Sequence, residues 1–371
     1  KQRFNFNTNK QFYILITLVL TNRNRDIRII KNCLDSLQNQ SDIDFEWFLV
    51  DYGSNETYLN ELNALVLQYP QIQFVSCPTS GQLWSKCRSI NIALQKATQP
   101  YFVVGDIDLI FHPNYIQTLK SVANRNTVHY FQYGFLSETE SLKKQSFEDF
   151  KVDFKGGKDV TGNTMFPTAV LKSVNGFDEF YQGWGAEDTD AHIRMQNLGL
   201  QVVFYEEQIL VKHQWHPKAY RSKKSTHPYH SQLERINHAY MIQTQKNKRT
   251  VVNQYQNWGQ LTHDADYQKL QFPEKKIIVS SSSLQVNALL AQLKNFKNEV
   301  IQVEIHDLSK AEKNKNRIKR ILGKKALPFY EMEYVNNLVL EEIIKNYRNC
   351  PYHYSFNRQT NTIVLVVNFV A

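Results

Sequence analysis

The sequence predicts an α/β protein: a mostly parallel sheet covered on both faces, followed by a smaller α/β unit. Apolar strand-sized runs alternate with amphipathic helical stretches from Phe12 to Gly105, and the alternation restarts at Ile277. The strands are apolar throughout instead of at every second residue, as burial on both faces requires. A chain of 371 residues suits two domains, or one large domain with an appendage.

Each element has its own signal. The polar segment Lys1–Lys10 is expected to be loose, and Phe12–Leu20 reads as the first strand. In Asp26–Gln38 the apolar residues Ile27, Ile30, Leu34 and Leu37 recur at helical spacing. Strands are expected at Glu46–Asp51, Ile72–Ser76 and Tyr101–Gly105, with helices at Glu56–Gln68 and Gln82–Lys96 between them. Thr127 to Leu171 reads as irregular strands and loops, with a turn-rich patch at Gly156, Gly157 and Gly162. A helix opens at Gly183–Asp190 and runs to Leu198, where Gly199 stops it. A strand at Gln201–Tyr205 leads to Lys212–Pro217, and helical content is expected at Gln232–Gln245. Pro273–Lys276 looks like a linker, which sets the units at 11–272 and 275–371. The second unit is expected to hold strands at Ile277–Ser281, Val300–His306 and Thr362–Val370. Its helices fall at Leu284–Phe296, Lys310–Leu322 and Val335–Tyr347.

Composition excludes several classes. With 42% hydrophobic residues the chain can build a core, so it is neither disordered nor fibrous. Its most apolar stretches are strand-sized, far short of the ~20 residues a membrane span needs, so a soluble chain is expected. The 4 cysteines lack CxxC spacing and read as reduced cytosolic thiols. Of the net charge of +9, +7 falls from Lys275 onward, so an anionic partner would meet that part. The run Lys310–Lys325 holds 8 Lys/Arg against the single acid Glu312 but no interleaved aromatics, which argues against nucleic acid. A solvated helix face, or docking at an anionic membrane surface, fits it better.

In a doubly covered sheet, ligands bind at the carboxyl ends of the strands. The residues there are Thr21–Arg25, Asp51–Ser54 and Asp106–Asp108. Neither a GxGxxG fingerprint nor a P-loop is present. Asp106 and Asp108 could hold Mn²⁺ or Mg²⁺ with positions left for phosphates, or simply solvate a strand exit. Glu187 and Asp188 suit a helix start by charge alone. Trp184, between Gly183 and Gly185, adds a flat face for a sugar ring, beside which a carboxylate could take a proton from a hydroxyl. The helix dipole that stabilises that carboxylate would also weaken it as a base. His213 or His216 could complete a metal site. Arg23, Arg25, Lys86 and Arg88 could clamp a diphosphate. Asp51 could accept from a base N–H or cap its loop.

Taken in order, these pieces resemble the GT-A glycosyltransferases of family 2 and the related β-1,4-galactosyltransferase and chondroitin-polymerase group. Val50-Asp51-Tyr52-Gly53-Ser54 is similar to the second-strand motif whose Asp holds uracil. Lys86, Arg88 and Asn91 fall in a stretch similar to the one before the metal strand, with Ala93 where glycine is usual. Asp106-Ile107-Asp108 resembles the DxD motif. Asn175–Glu179 followed by Gly183–Asp190 is similar to the acceptor-site signature, and Lys212-His213-Gln214 to the segment with the third metal ligand. The resemblance spans Phe12 to Pro217 and leaves 275–371 without a role.

The resemblance implies a GT-A domain and an inverting, Mn²⁺- or Mg²⁺-dependent transfer of a hexose or N-acetylhexosamine from a UDP-sugar. The acceptor would be a glycan or a lipid-linked glycan of a surface polysaccharide, and the location cytoplasmic or peripheral at the inner face of a membrane. Asp188 would be the base, with Glu187, Trp184 and Gly185 placing the sugars. Asp106, Asp108 and His213 would hold the metal. Thr21, Arg23, Arg25, Asp51, Lys86, Arg88 and Asp106 would bind the nucleotide. The other reading is a silent GT-A scaffold that binds nucleotide or glycan without transfer.

Overall fold

The computed structural model describes residues 15–217 and 232–370. The N-terminal tail, the start of the first strand and the stretch containing His227 and His230 lie outside the described residues.

Eleven strands form the first two sheets: β1 (Ile16–Asn22), β2 (Glu46–Tyr52), β3 (Ile72–Cys77), β4 (Tyr101–Asp106), β5 (Leu109–Phe111), β6 (Thr127–Phe131), β7 (Tyr133–Leu136), β8 (Val152–Lys155), β9 (Thr164–Pro167), β10 (Gln201–Tyr205) and β11 (Val211–His213). The larger sheet has the order β10-β6-β9-β4-β1-β2-β3 and is parallel except where β9 pairs with β4 and β6. The smaller has the order β5-β11-β7-β8. The stretch expected to be irregular thus supplies four short strands.

Helices α1 (Ile27–Gln38), α2 (Glu56–Val66), α3 (Lys86–Lys96), α4 (Tyr115–Val122), α5 (Glu138–Ser141), α6 (Thr168–Ser173), α7 (Glu187–Asn197), α8 (Leu233–Lys246) and α9 (Asp264–Gln268) complete this part. Ile16, Leu18 and Leu20 of β1 face a core shared with α1, α2 and α4, whereas Val19 faces one shared with α3, α6 and α7. Two-sided burial is why the strand is apolar at nearly every position. α3 begins at Lys86, not at Gln82 as the sequence predicts, because the Ser85 hydroxyl caps it by accepting from the Arg88 N–H at 3.3 Å.

The remaining elements are β12 (Lys275–Ser280), α10 (Ser283–Leu293), β13 (Val300–His306), α11 (Lys310–Ile321), α12 (Met332–Glu342), β14 (Tyr352–Asn357) and β15 (Thr362–Asn368). Their sheet has the order β12-β13-β15-β14 and a core of its own around Val286, Val303, Val335 and Leu365. β12 begins inside the expected linker, and β14 is a strand the sequence reading missed. In β14 Tyr352, Tyr354 and Phe356 point inward by alternation, while their polar neighbours disguise the strand. This strand also braces the loop before α3. The Tyr354 N–H donates to the Gly81 carbonyl at 2.9 Å, and the Tyr352 hydroxyl accepts from the Leu83 N–H at 2.8 Å. Among the described residues no helix is long and apolar enough to cross a membrane.

Candidate active site

Parallel pairing aligns the strand ends. Thr21 of β1 lies opposite Asp106 of β4, and Asn22 opposite Asp51 of β2. The chain turns at Asp106-Ile107-Asp108 and passes from the larger sheet into the smaller. There the antiparallel pairing of β5 with β11 sets His213 opposite Leu109, and the Gln214 N–H donates to the Asp108 carbonyl at 2.9 Å. The junction of two sheets therefore carries two imidazoles onto Asp108. His213 Nε2 is 3.5 Å from Oδ1, His216 Nε2 is 3.2 Å from Oδ2, and Arg25 is 3.2 Å from Oδ2.

One donor atom from each of Asp108, His213 and His216 lies within 4.8 Å of the others. Asp108 Oδ1 is buried without a hydrogen-bond partner among the described residues. A buried carboxylate oxygen left unsatisfied beside two imidazoles fits a cation. Burial pushes the Asp108 carboxyl up, but His213, the hydrogen bond from His216 and Arg25 outweigh it and hold it well below the usual range. Burial lowers the His213 pKa against the pull of Asp108, which favours the neutral, ligating imidazole.

A second cluster centres on Lys86, the first residue of α3. A cation at a helix N-terminus opposes the dipole. Three carboxylates offset this: Asp106 at 3.0 Å, Asp188 at 2.9 Å and Glu187 at 3.9 Å. They raise the Lys86 pKa well above its ordinary value despite burial, so the ammonium stays charged. Asp106 Oδ2 also accepts from the Tyr133 hydroxyl at 2.8 Å.

Asp188 and Glu187 open α7 directly after Ala186, whose φ of +73° is left-handed, a conformation costly for a residue with a Cβ. Asp190, one turn on, is fully buried against Arg194 at 2.7 Å and the Tyr181 hydroxyl at 3.0 Å, so it anchors the helix. Asp188 faces the cleft. Burial pushes its pKa up to about 7; Lys86 opposes the rise, and Glu187 and Asp106 add to it. The weakening of this carboxylate as a base that the helix dipole implies is outweighed by burial and like charge. Trp184 is 41% exposed, and Asn237 of α8 pins its loop by donating to the Gln182 and Trp184 carbonyls at 3.2 and 3.3 Å.

Both clusters line one cleft of about 1080 Å³, together with Thr21, Arg25, Trp84 and Trp184. Ten expected residues line it: Thr21, Arg25, Lys86, Asp106, Asp108, Trp184, Gly185, Glu187, Asp188 and His213. Three expected nucleotide-binding residues do not. Asp51 is fully buried, and its carboxylate already accepts from Asn22 Nδ2 at 2.7 Å, the Ser54 N–H at 3.0 Å and the Ser54 hydroxyl at 2.6 Å. It caps its loop, one of the two roles its position allowed. Arg23 donates to the Gln82 carbonyl at 2.8 Å. Arg88 is buried against Glu179 at 2.8 Å and donates to the Arg348 carbonyl at 2.8 Å and to Asn349, tying α3 to the C-terminal unit. Asp106 is not among the residues whose donor atoms gather within 4.8 Å, and its oxygens are held by Lys86 and Tyr133, whereas His216 lies inside that cluster beside the favoured His213. Sequence reasoning missed Trp84, Tyr133 and Asn237. Only the two aromatics, flanking polar turns, offered a signal.

Gly53 yields a stability prediction. Its φ is +81°, and a Cβ there would sit 2.5 Å from the backbone carbonyl carbon and oxygen of Thr79. Neither strain can relax by rotating a side chain. Gly53→Ala should destabilise the fold by roughly 2–3 kcal/mol, read as a lowered urea midpoint with an unchanged slope.

Residues 17–174 match the family model described as glycosyl transferase family 2, and residues 143–217 the one described as N-terminal domain of galactosyltransferase. Over these stretches the chain is similar to glycosyltransferase domains. Its fold, α/β around a parallel-rich central sheet, is of the GT-A type. No curated protein matches the chain. Among solved structures, S. aureus TarS (residues 1–349) is 14% identical over 54% of this chain and 60% of its own, with a TM-score of 0.42. The mannosyltransferase PcManGT of Pyrobaculum calidifontis, in complex with GDP-Man and Mn²⁺, is 17% identical over 64% of each chain, with a TM-score of 0.41. GalNAc-T7 with UDP, GalNAc and Mn²⁺ is 12% identical over 76% of this chain and 54% of its own, with a TM-score of 0.48. The chain spans less than two thirds of the length of each of these three.

Proposed function

We propose that this chain moves a hexose or N-acetylhexosamine from a UDP-sugar to a hydroxyl of a glycan or lipid-linked acceptor in surface polysaccharide synthesis, with inversion at the anomeric carbon. The observation that carries this reading is the placement of Asp188, a carboxylate at the start of α7 that lines the cleft beside Trp184, is held by Lys86 at 2.9 Å and has its pKa pushed up to about 7 by burial. That value suits a group that must be ionised to take a proton yet basic enough to hold it. Asp188 removes the acceptor hydroxyl proton as the oxygen attacks the anomeric carbon. The new C–O bond forms on the face opposite the departing diphosphate, the C–O bond to phosphate breaks, and UDP leaves with that electron pair.

Lys86 orients Asp188 and holds its charge, and the indole of Trp184 offers its face to the acceptor ring. Arg25 is the cleft guanidinium placed to meet the phosphates, and Lys155 also lines the cleft. Asp108, His213 and His216 would hold the divalent cation, and two imidazoles beside one carboxylate favour Mn²⁺ over Mg²⁺. When bound, such a cation neutralises charge on the diphosphate as a Lewis acid.

Calorimetric titration of UDP in Mn²⁺ and again in EDTA tests the reading. Binding that needs the cation is expected, and a panel of UDP-sugars then identifies the donor by turnover. Absence of binding in both conditions would overturn it, and binding without turnover of any donor would leave a silent scaffold.

A further inference from the structure

Helix α11 is inside out. The residues it buries are polar: Lys313 is 8% exposed and Asn316 7%. Lys313 forms ion pairs with Asp307 and Glu331, each at 2.9 Å. Asn316 donates to the Glu312 carbonyl at 2.9 Å and accepts from the Leu327 N–H at 2.8 Å. Its apolar residues face outward: Ile318 is 57% exposed, Ile321 84% and the adjoining Leu322 60%. Spaced by three and four residues, they form one face. Lys315 and Lys319 lie on the helix beside that face, Lys324 and Lys325 follow it after Gly323, and none of the four makes an ion pair among the described residues.

A helix that only covered its own domain would have the opposite arrangement, and an exposed aliphatic face with a charged rim marks a docking surface. The rim decides the occupant. A second copy would bring the same lysines against these, whereas an anionic bilayer offers headgroup phosphates at the level of the lysines and an acyl phase beneath them.

We propose that α11 seats this chain on an anionic lipid bilayer, with Ile318, Ile321 and Leu322 entering the acyl boundary and the flanking lysines meeting the headgroup phosphates. The surface is separate from the cleft, so the proposal stands or falls independently of the transfer reaction.

The full chain should co-sediment with vesicles of phosphatidylcholine plus phosphatidylglycerol, lose that binding as salt rises, and ignore phosphatidylcholine alone. Ile321→Glu, at a position too exposed to disturb packing, should lower the partition by at least about tenfold. Lys315→Gln and Lys319→Gln should each lower it by about fivefold. Circular dichroism of the three variants should match the parent. Failure to bind at low salt would overturn the proposal, as would equal binding to uncharged vesicles. So would a dimer in sedimentation that Ile321→Glu dissociates, since the face would then belong to a second copy.

Discussion

Asp188→Asn is expected to lower sugar transfer by roughly 10²- to 10⁴-fold, the usual contribution of a positioned base, while leaving UDP affinity nearly unchanged. The amide keeps the shape and can still accept from Lys86, which lies 2.9 Å from the carboxylate. Asp188 is also outside the Asp108–His213–His216 cluster. Transfer rate and UDP calorimetry read the two effects separately, and a collapse of affinity would make Asp188 a structural or ligating residue. The pH profile adds an independent reading. With Asp188 raised to about 7, the rate should fall about tenfold per pH unit below 7 and level off above it. Because the folded-state value is raised, folding favours the protonated acid. This stabilising contribution is complete at pH below the ordinary aspartate range and fades as pH rises through 7. Asp188→Asn should therefore lose less stability than its parent as pH rises from about 4 to about 7, even as activity disappears.

The place of the acidic motifs in the cleft was legible because strand ends and helix starts are local signals. Asp106-Ile107-Asp108 follows a strand whose apolar run fixes where it ends, and Gly183-Trp184-Gly185 marks backbone with φ of +75° and +106°, which favours glycine. Which of the cations reach the cleft, and that Asp51 does not line it, was not legible in the same way. Arg25 follows β1 and Arg88 lies in the first turn of α3, yet one reaches Asp108 and the other is buried on Glu179, 91 residues away. A guanidinium carries no mark of which partner it will find, so only tertiary packing separates a ligand clamp from a buried strut. His216 shows the same limit from the other direction. Its spacing from His213 says nothing about the antiparallel pairing of β5 with β11 that swings both rings to Asp108. Ala186 breaks a local rule that sequence alone would have scored against a helix start, and it does so one residue before the paired acids. A conflict of that kind is expected where function, not propensity, sets the backbone.

Asp108→Asn should abolish cation-dependent UDP binding, lowering Mn²⁺ affinity by at least about a hundredfold, whereas Asp106→Asn should lower it much less. The difference follows from what each carboxylate already holds. Asp106 gives one oxygen to Lys86 and the other to Tyr133, so a ligand bond there would break an existing contact. Asp108 keeps Oδ1 buried without a hydrogen-bond partner among the described residues, and its low pKa leaves it ionised across the working range. His213→Ala and His216→Ala should fall between the two, because each removes one neutral donor and leaves the carboxylate. Mn²⁺ titration followed by electron paramagnetic resonance orders the four variants without requiring turnover. If Asp106→Asn proved as damaging as Asp108→Asn, both aspartates would be ligands, and Lys86 would have to release Asp106 when the cation binds. That release would leave Lys86 on Asp188 and Glu187 alone, strengthening its pull on Asp188 and shifting the acid limb of the pH profile to lower pH. The same two aspartate variants, run through the pH series, would therefore reveal which carboxylate Lys86 holds during the reaction.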